Sequence, residues 1–209
     1  MGFAPTLPTN YSWYPMGERF TILYEAPQGR RVNAVGLYFS HGPEAGRFAF
    51  ETAATLPESR AKKARKDPEE RAAAHGLPPE QVGSIDSERL IAFIWKTAGR
   101  PAVHLADWKR ERPLVIWLDN YSVHKSARVQ AELPALEQAG ITLCYLPSYS
   151  PELSTIEPIW HAVKHRDLVR RSFAVLGDLL SAVEETLTEK AADLLAVRAK
   201  TDQLLQRAA

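Results

Sequence analysis

An α/β fold is what this sequence predicts, and three stretches predict it. The segment "LVIWLDNYSVHKS" at 114–126 opens as an apolar run that stops at Asp119. A helical pattern follows, with Val129, Leu133 and Leu136 at spacings of four and three, and "ITLCYLP" at 141–147 is a second apolar run. Two continuously apolar strands joined through a helix make a βαβ unit, whose strands are ordinarily parallel and covered on both faces. Of the 209 residues, 45% are hydrophobic, enough for a sizeable core.

The remaining elements follow in chain order. "GRRVNAVGLYFSHGPEAGRFAFET" holds two β-rich runs, about 31–39 and 46–52, joined by a Gly/Pro/His turn, which is the pattern of a hairpin. Residues 53–84 are rich in Ala, charge and Pro without steady apolar spacing, predicting a surface insertion or linker with helical pieces. Its "RAKKARK" core reads either as a solvated helical face or as a nucleic-acid contact. "SIDSERLIAFIWKTAGRP" predicts a helix capped by Asp86 or Ser87, with Leu90, Ile91, Phe93, Ile94 and Trp95 inward and Gly99 with Pro101 as its stop.

The helix of the βαβ unit should start near Lys125, bend at Pro134 and stop at Gly140. After Leu146 a Pro/Ser/Tyr loop leads to a helix beginning near Ser150 or Ser154, with Glu157, Trp160 and Lys164 along one side. Leu176, Leu179, Leu180 and Val183, then Leu194, Leu195, Leu204 and Leu205, predict two amphipathic helices over 172–207 that pack on the sheet.

Composition narrows the function classes. Lys and Arg total 26 against 25 Asp and Glu, a net charge of +1, so any affinity for nucleic acid must come from local patches. The single cysteine, Cys144, lies inside an apolar run and is expected to be a buried, inert thiol; without a disulfide or zinc framework, a reducing cytoplasm fits. No apolar stretch approaches the roughly 20 residues of a membrane helix, and no basic region with a hydrophobic core opens the chain, so neither a membrane protein nor an exported one is expected. "MGFAPT" satisfies the loose myristoylation pattern of glycine at 2 and Ser/Thr at 6, a match with four free positions.

Two carboxylates invite a chemical reading. In open α/β sheets the functional crevice lies beyond the carboxyl ends of parallel strands, where Asp119 sits. An Asp-Asn pair also starts turns by bonding nearby backbone, and on that segment alone the two readings stand level. Glu157 has its own alternative, because Ser154-x-x-Glu157 fits a capping box.

Taken together, "LDNYSVHKS", "LPSYSPELSTIEPIWHAVK" and the upstream "NYSWYPMGER" resemble the catalytic domain of DDE transposases (DDE superfamily endonucleases), in the bacterial insertion-sequence branch of the mariner-like superfamily. The resemblance covers roughly residues 1–170, including the insertion at 53–84, and leaves 171–209 as C-terminal helices packed on that domain. Asp119 and Glu157 stand in order with 37 residues between them. Where the family often has Asn shortly before the glutamate, this chain has Ser154.

Such membership implies a ribonuclease-H-like mixed sheet with flanking helices, and DNA strand cleavage and transfer by two-metal phosphoryl transfer. Two Mg²⁺ or Mn²⁺ ions about 3.5–4 Å apart activate a water or a 3′-hydroxyl and stabilise the leaving oxygen, and hard cations need carboxylate oxygen. By the same resemblance Asp119 and Glu157 are catalytic metal ligands, while Asn120, His124, Lys164 and Arg166 either orient DNA phosphates or fill ordinary surface roles. The implied partners are transposon-end and target DNA and a transposase homo-oligomer, in a bacterial cytoplasm and away from membranes.

One departure from the family matters. Its first catalytic aspartate ends an initial strand, usually as an Asp-Glu pair just before a Gly-Phe and the stretch that here reads "SWYPMG". If Gly2-Phe3 is that Gly-Phe, the pair and its strand lie upstream of Met1, and no aspartate occurs before Asp67. The helix-turn-helix region that reads transposon ends is missing too. The expectation is therefore an N-terminally truncated catalytic domain, inactive as given. Two alternatives stand beside it: an active metal-dependent nuclease using Glu25, which closes the short apolar run "RFTILYEAP", and a non-enzymatic remnant that binds a partner protein.

Overall fold

A computed structural model describes residues 1–6, 15–17, 29–56, 68–101, 107–148, 150–169 and 171–208. They form two compact units, one of Met1–Ser84 with Pro158–Ala209 and one of Ile85–Glu157. Glu25 and the "RAKKARK" segment lie outside the described residues.

In the first unit the expected hairpin forms. β1 (Gly2–Phe3), β2 (Arg31–Tyr38) and β3 (Phe48–Thr55) make an antiparallel sheet in that order, with Phe3 opposite Val32 and Val35 opposite Glu51. Part of the expected insertion is sheet, because β3 continues through residues 53–55, where Ala53 and Ala54 are fully buried. The rest does contain helical pieces, α1 (Pro68–Ala74) and a 3-10 turn at Pro79–Gln81, but Ala72 and Leu77 are buried and so belong to the core.

The C-terminal segment is one helix, α5 (Leu176–Ala208), where two were expected. No Gly or Pro occurs between Asp178 and Ala208, so nothing in the backbone chemistry interrupts it. Leu176, Leu179, Leu180, Val183 and Leu187 are buried, and α5 packs on β2 and β3. Leu195, Leu204 and Leu205 are exposed, so the apolar pattern of the last turns does not reach the core. Gly177 is required where α5 begins: its N–H donates to the His75 carbonyl at 2.9 Å, and a Cβ there would stand 2.2 Å from the Gly76 carbonyl oxygen.

A polar tie joins α5 to the turn before it. Lys190 Nζ lies 2.6 Å from Asp167 Oδ2, and Arg166 Nε lies 3.0 Å from Oδ1. Burial pushes the Asp167 carboxyl up, but the bonds and charges of Lys190 and Arg166 outweigh it and hold the group below its ordinary value. A carboxylate with a lowered folded-state pKa stabilises the fold fully above its unfolded value of about 4 and loses that contribution as pH falls through the folded value. Thermal unfolding of Asp167→Asn beside the parent chain is therefore expected to show a deficit at pH 7 that shrinks as the pH is lowered below about 4. A deficit that did not change with pH would contradict the assignment.

In the second unit, α2 (Ser87–Thr97) is capped by Asp86, whose carboxylate accepts the Arg89 N–H at 2.9 Å. Leu90, Ile91, Phe93 and Ile94 are buried as expected. Trp95 is only half-buried, because its indole N–H donates to Glu132 at 2.9 Å and Arg100 lies over its ring. β4 (Leu114–Leu118) and β5 (Ile141–Tyr145) pair in parallel, joined by α3 (Ala127–Gln138). The expected βαβ unit is thus present. Ser126 caps α3, a residue later than expected, because a 3-10 turn at Ser122–Lys125 comes first; the helix runs through Pro134 and ends before Gly140 at a φ of 80°.

Coverage of both faces is not met. Ile116 is buried, but Val115 and Trp117 are 52% and 62% exposed, since α3 packs on one face of the two-stranded sheet. Cys144 is a free thiol and half-buried rather than buried, on β5 opposite Trp117. The architecture is the mixed α/β kind that a ribonuclease-H-like domain has, held as an antiparallel piece and a parallel piece with no ladder joining them among the described residues. No described helix is long and apolar enough to cross a membrane.

Candidate active site

The parallel pair ends in a built junction. Leu146 N–H donates to the Leu118 carbonyl at 2.9 Å, and the Asn120 side-chain amide donates to the Leu146 carbonyl at 2.7 Å. Asn120, expected to face DNA phosphate, therefore uses its amide to tie the loop after β4 to the end of β5. Between these two bonds stands Asp119, its side chain 61% exposed.

Asp119 makes the local turn bond that an Asp-Asn pair suggests. Oδ1 accepts the Tyr121 N–H at 3.0 Å, the local turn bond, and lies 2.7 Å from His124 Nδ1. That nitrogen is also 3.2 Å from the Asp119 carbonyl oxygen. Both neighbours only accept, so Nδ1 carries the proton. Oδ2 takes no partner among the described residues, which leaves one carboxylate oxygen open at the strand end.

Glu157 is the first residue of α4 (Glu157–Ala162), exposed and without a side-chain bond among the described residues. The capping box does not form; the bond at this terminus runs from the Glu157 N–H to the Ser154 carbonyl at 3.2 Å. Three residues on, Trp160 is buried over Gly36 and meets Phe48 edge-on, with ring centroids 5.4 Å apart. A single π turn, Val163–Asp167, follows α4 and carries Lys164. Lys164 is half-buried, and Arg166 is exposed with its Nε on Asp167.

Two features here escaped the sequence reading. His161 and His165, four apart, bring their rings within 4.7 Å beside Lys164; burial first, then the charges of His161 and Lys164, hold the His165 pKa below its usual value. Their spacing was the available signal. The other is Tyr145, whose hydroxyl donates to the His124 carbonyl at 2.8 Å and which no motif marks.

The donors suit a hard divalent cation in kind, since Asp119 Oδ2 and the Glu157 carboxylate are open oxygens. In number they are two: among the described residues no three His, Cys, Asp or Glu side chains gather as a metal-binding group. A family model described as DDE superfamily endonuclease matches residues 74–180, more than half of the chain and including both carboxylates. The chain belongs to the DDE superfamily endonucleases. Endonucleases of this superfamily are generally dependent on divalent metal and act on DNA. No curated protein matches the chain.

Proposed function

We propose that this DDE endonuclease chain is the catalytic-domain fragment of a bacterial insertion-sequence transposase, which cuts and joins DNA strands by two-metal phosphoryl transfer. Residues 1–170 are its catalytic domain and 171–209 the helices packed on it. The observation that carries the reading is the open Oδ2 of Asp119, at the carboxyl end of a parallel strand inside the family match. Asp119 and Glu157 would hold Mg²⁺ or Mn²⁺. When bound, the ions supply activation of a water or DNA 3′-hydroxyl and stabilisation of the leaving oxygen.

The chain's own groups do the rest. Tyr121 N–H and His124 Nδ1–H fix one oxygen of Asp119, so that the other is presented without a search of rotamers. Lys164 and Arg166 supply positive charge for phosphate, His124 offers its second ring nitrogen, and Asn120 holds the loop that carries His124. A homo-oligomer on transposon ends in the bacterial cytoplasm is the assembly that goes with this chemistry.

The same proposal makes the 209 residues inactive by themselves, with the first catalytic aspartate on a strand outside them. No aspartate stands among the first 66 residues. Beside β2, β1 pairs only as far as the Met1–Ala34 bonds, and residues 35–38 have no strand on that side among the described residues.

Fe²⁺ soaked into the chain in place of Mg²⁺, with ascorbate and peroxide, tests the two ligands together. Radicals formed at one shared ion should cut the backbone near 119 and near 157, and Asp119→Asn should suppress both cuts. Cleavage at one segment alone would mean that the carboxylates do not share an ion.

A further inference from the structure

We infer that His124 is a positioning residue for the Asp119 carboxylate, and that Tyr145 in turn sets His124. The inference rests on Asp119 being a cation ligand, as proposed above. It differs from a role in binding phosphate, because it uses the ring nitrogen that faces the protein.

The loop from Asp119 to His124 is held at both ends by one residue of β5. Tyr145 lies opposite Leu118, the residue before Asp119, in the parallel ladder. Its hydroxyl, 2.8 Å from the His124 carbonyl, ties down the other end. The hydroxyl is itself fixed by Gln130 Nε2 at 3.2 Å, and Lys125 Nζ stands 5.4 Å from the ring centroid. A strand residue with paired backbone thus clamps the turn that carries the histidine.

Within the clamp the imidazole has little freedom. Tyr121 meets it edge-on at 5.9 Å, an interplanar angle of 81°, and the His124 side chain is 18% exposed. Nδ1–H reaches Oδ1 at 2.7 Å while Tyr121 N–H reaches the same atom at 3.0 Å. Two donors on Oδ1 leave Oδ2 as the atom for a cation, so Asp119 would bind through a single oxygen. Ligating carboxylates held by such outer bonds lose metal affinity when the bond is removed.

Substitutions that move the donor test this. The Asn amide nitrogen sits where Nδ1 does, whereas that of Gln reaches the position of Nε2. Mn²⁺ binding to the 209-residue chain, read from the EPR signal of free Mn²⁺ at one pH, should weaken roughly tenfold in His124→Gln. His124→Asn should bind like the parent chain. Equal affinities in Asn, Gln and parent, or equal losses in both variants, would overturn the positioning role. Should His124→Gln fail to fold, Tyr145→Phe reads the same link and is expected to weaken Mn²⁺ binding; unchanged binding there overturns the inference. Asp119→Asn separates the two levels. If it weakens Mn²⁺ binding while the His124 variants do not differ, only the inference falls; if it changes nothing, Asp119 is no ligand and both fall.

Discussion

Supercoiled plasmid is expected to stay intact with the 209-residue chain in Mg²⁺ or Mn²⁺, and to be nicked by a version extended upstream through an in-frame strand ending in Asp-Glu. Two divalent ions carry four positive charges, of which Asp119 and Glu157, as the proposed ligands, would offset two. No third carboxylate, thiol or imidazole joins a metal-binding group among the described residues. An underligated ion is poorly fixed, and misplacement by about 1 Å can cost roughly 10²-fold in rate. The strand proposed upstream would matter more, because it would carry a ligand and pair beside residues 35–38 of β2, which have no strand on that side among the described residues. Quantified nicked circles, with Asp119→Asn in both versions as control, decide the matter. Robust nicking by the 209-residue chain, abolished by Asp119→Asn, would show the chain to be complete enough for catalysis. Its further loss in Glu25→Gln would identify the acid that substitutes.

How much of this could be read from the sequence depends on the range over which each feature is determined. β4, α3 and β5 were readable because an apolar run, a helical spacing and a glycine stop are local, and Asp119 followed as the residue where the run ends. Trp95 misled because the apolar stripe of α2 has no mark that distinguishes a core ring from one whose N–H needs Glu132 on another helix. The division of the C-terminal segment into two helices misled for a different reason: thinning of the apolar pattern after Leu187 marks where packing ends, not where the helix does. Tyr145 was invisible, since its reach to His124 exists only once β4 and β5 are in parallel register. The π turn after Ala162 likewise has no residue signature.

Trp160→Ala is expected to be among the most damaging single substitutions, lowering stability by about 3–5 kcal/mol as large aromatic truncations in a core do. The indole is 5% exposed and lies against β2 where Gly36 leaves room, since a Cβ at position 36 would come within 2.7 Å of the ring and 2.8 Å of Phe48. α4 has six residues, too few to hold a helix alone, so its place depends on what it buries. Gly36→Ala attacks the same contact from the sheet and should cost about 1–3 kcal/mol by overpacking. The comparison that makes the result specific is Trp117→Ala. That indole is 62% exposed on β4, and its removal should stay within about 0.5 kcal/mol. Urea unfolding followed by far-ultraviolet circular dichroism, which does not depend on the tryptophans removed, measures all three. A Trp160→Ala midpoint as mild as that of Trp117→Ala would mean that the helix bearing Glu157 is positioned by something other than its tryptophan.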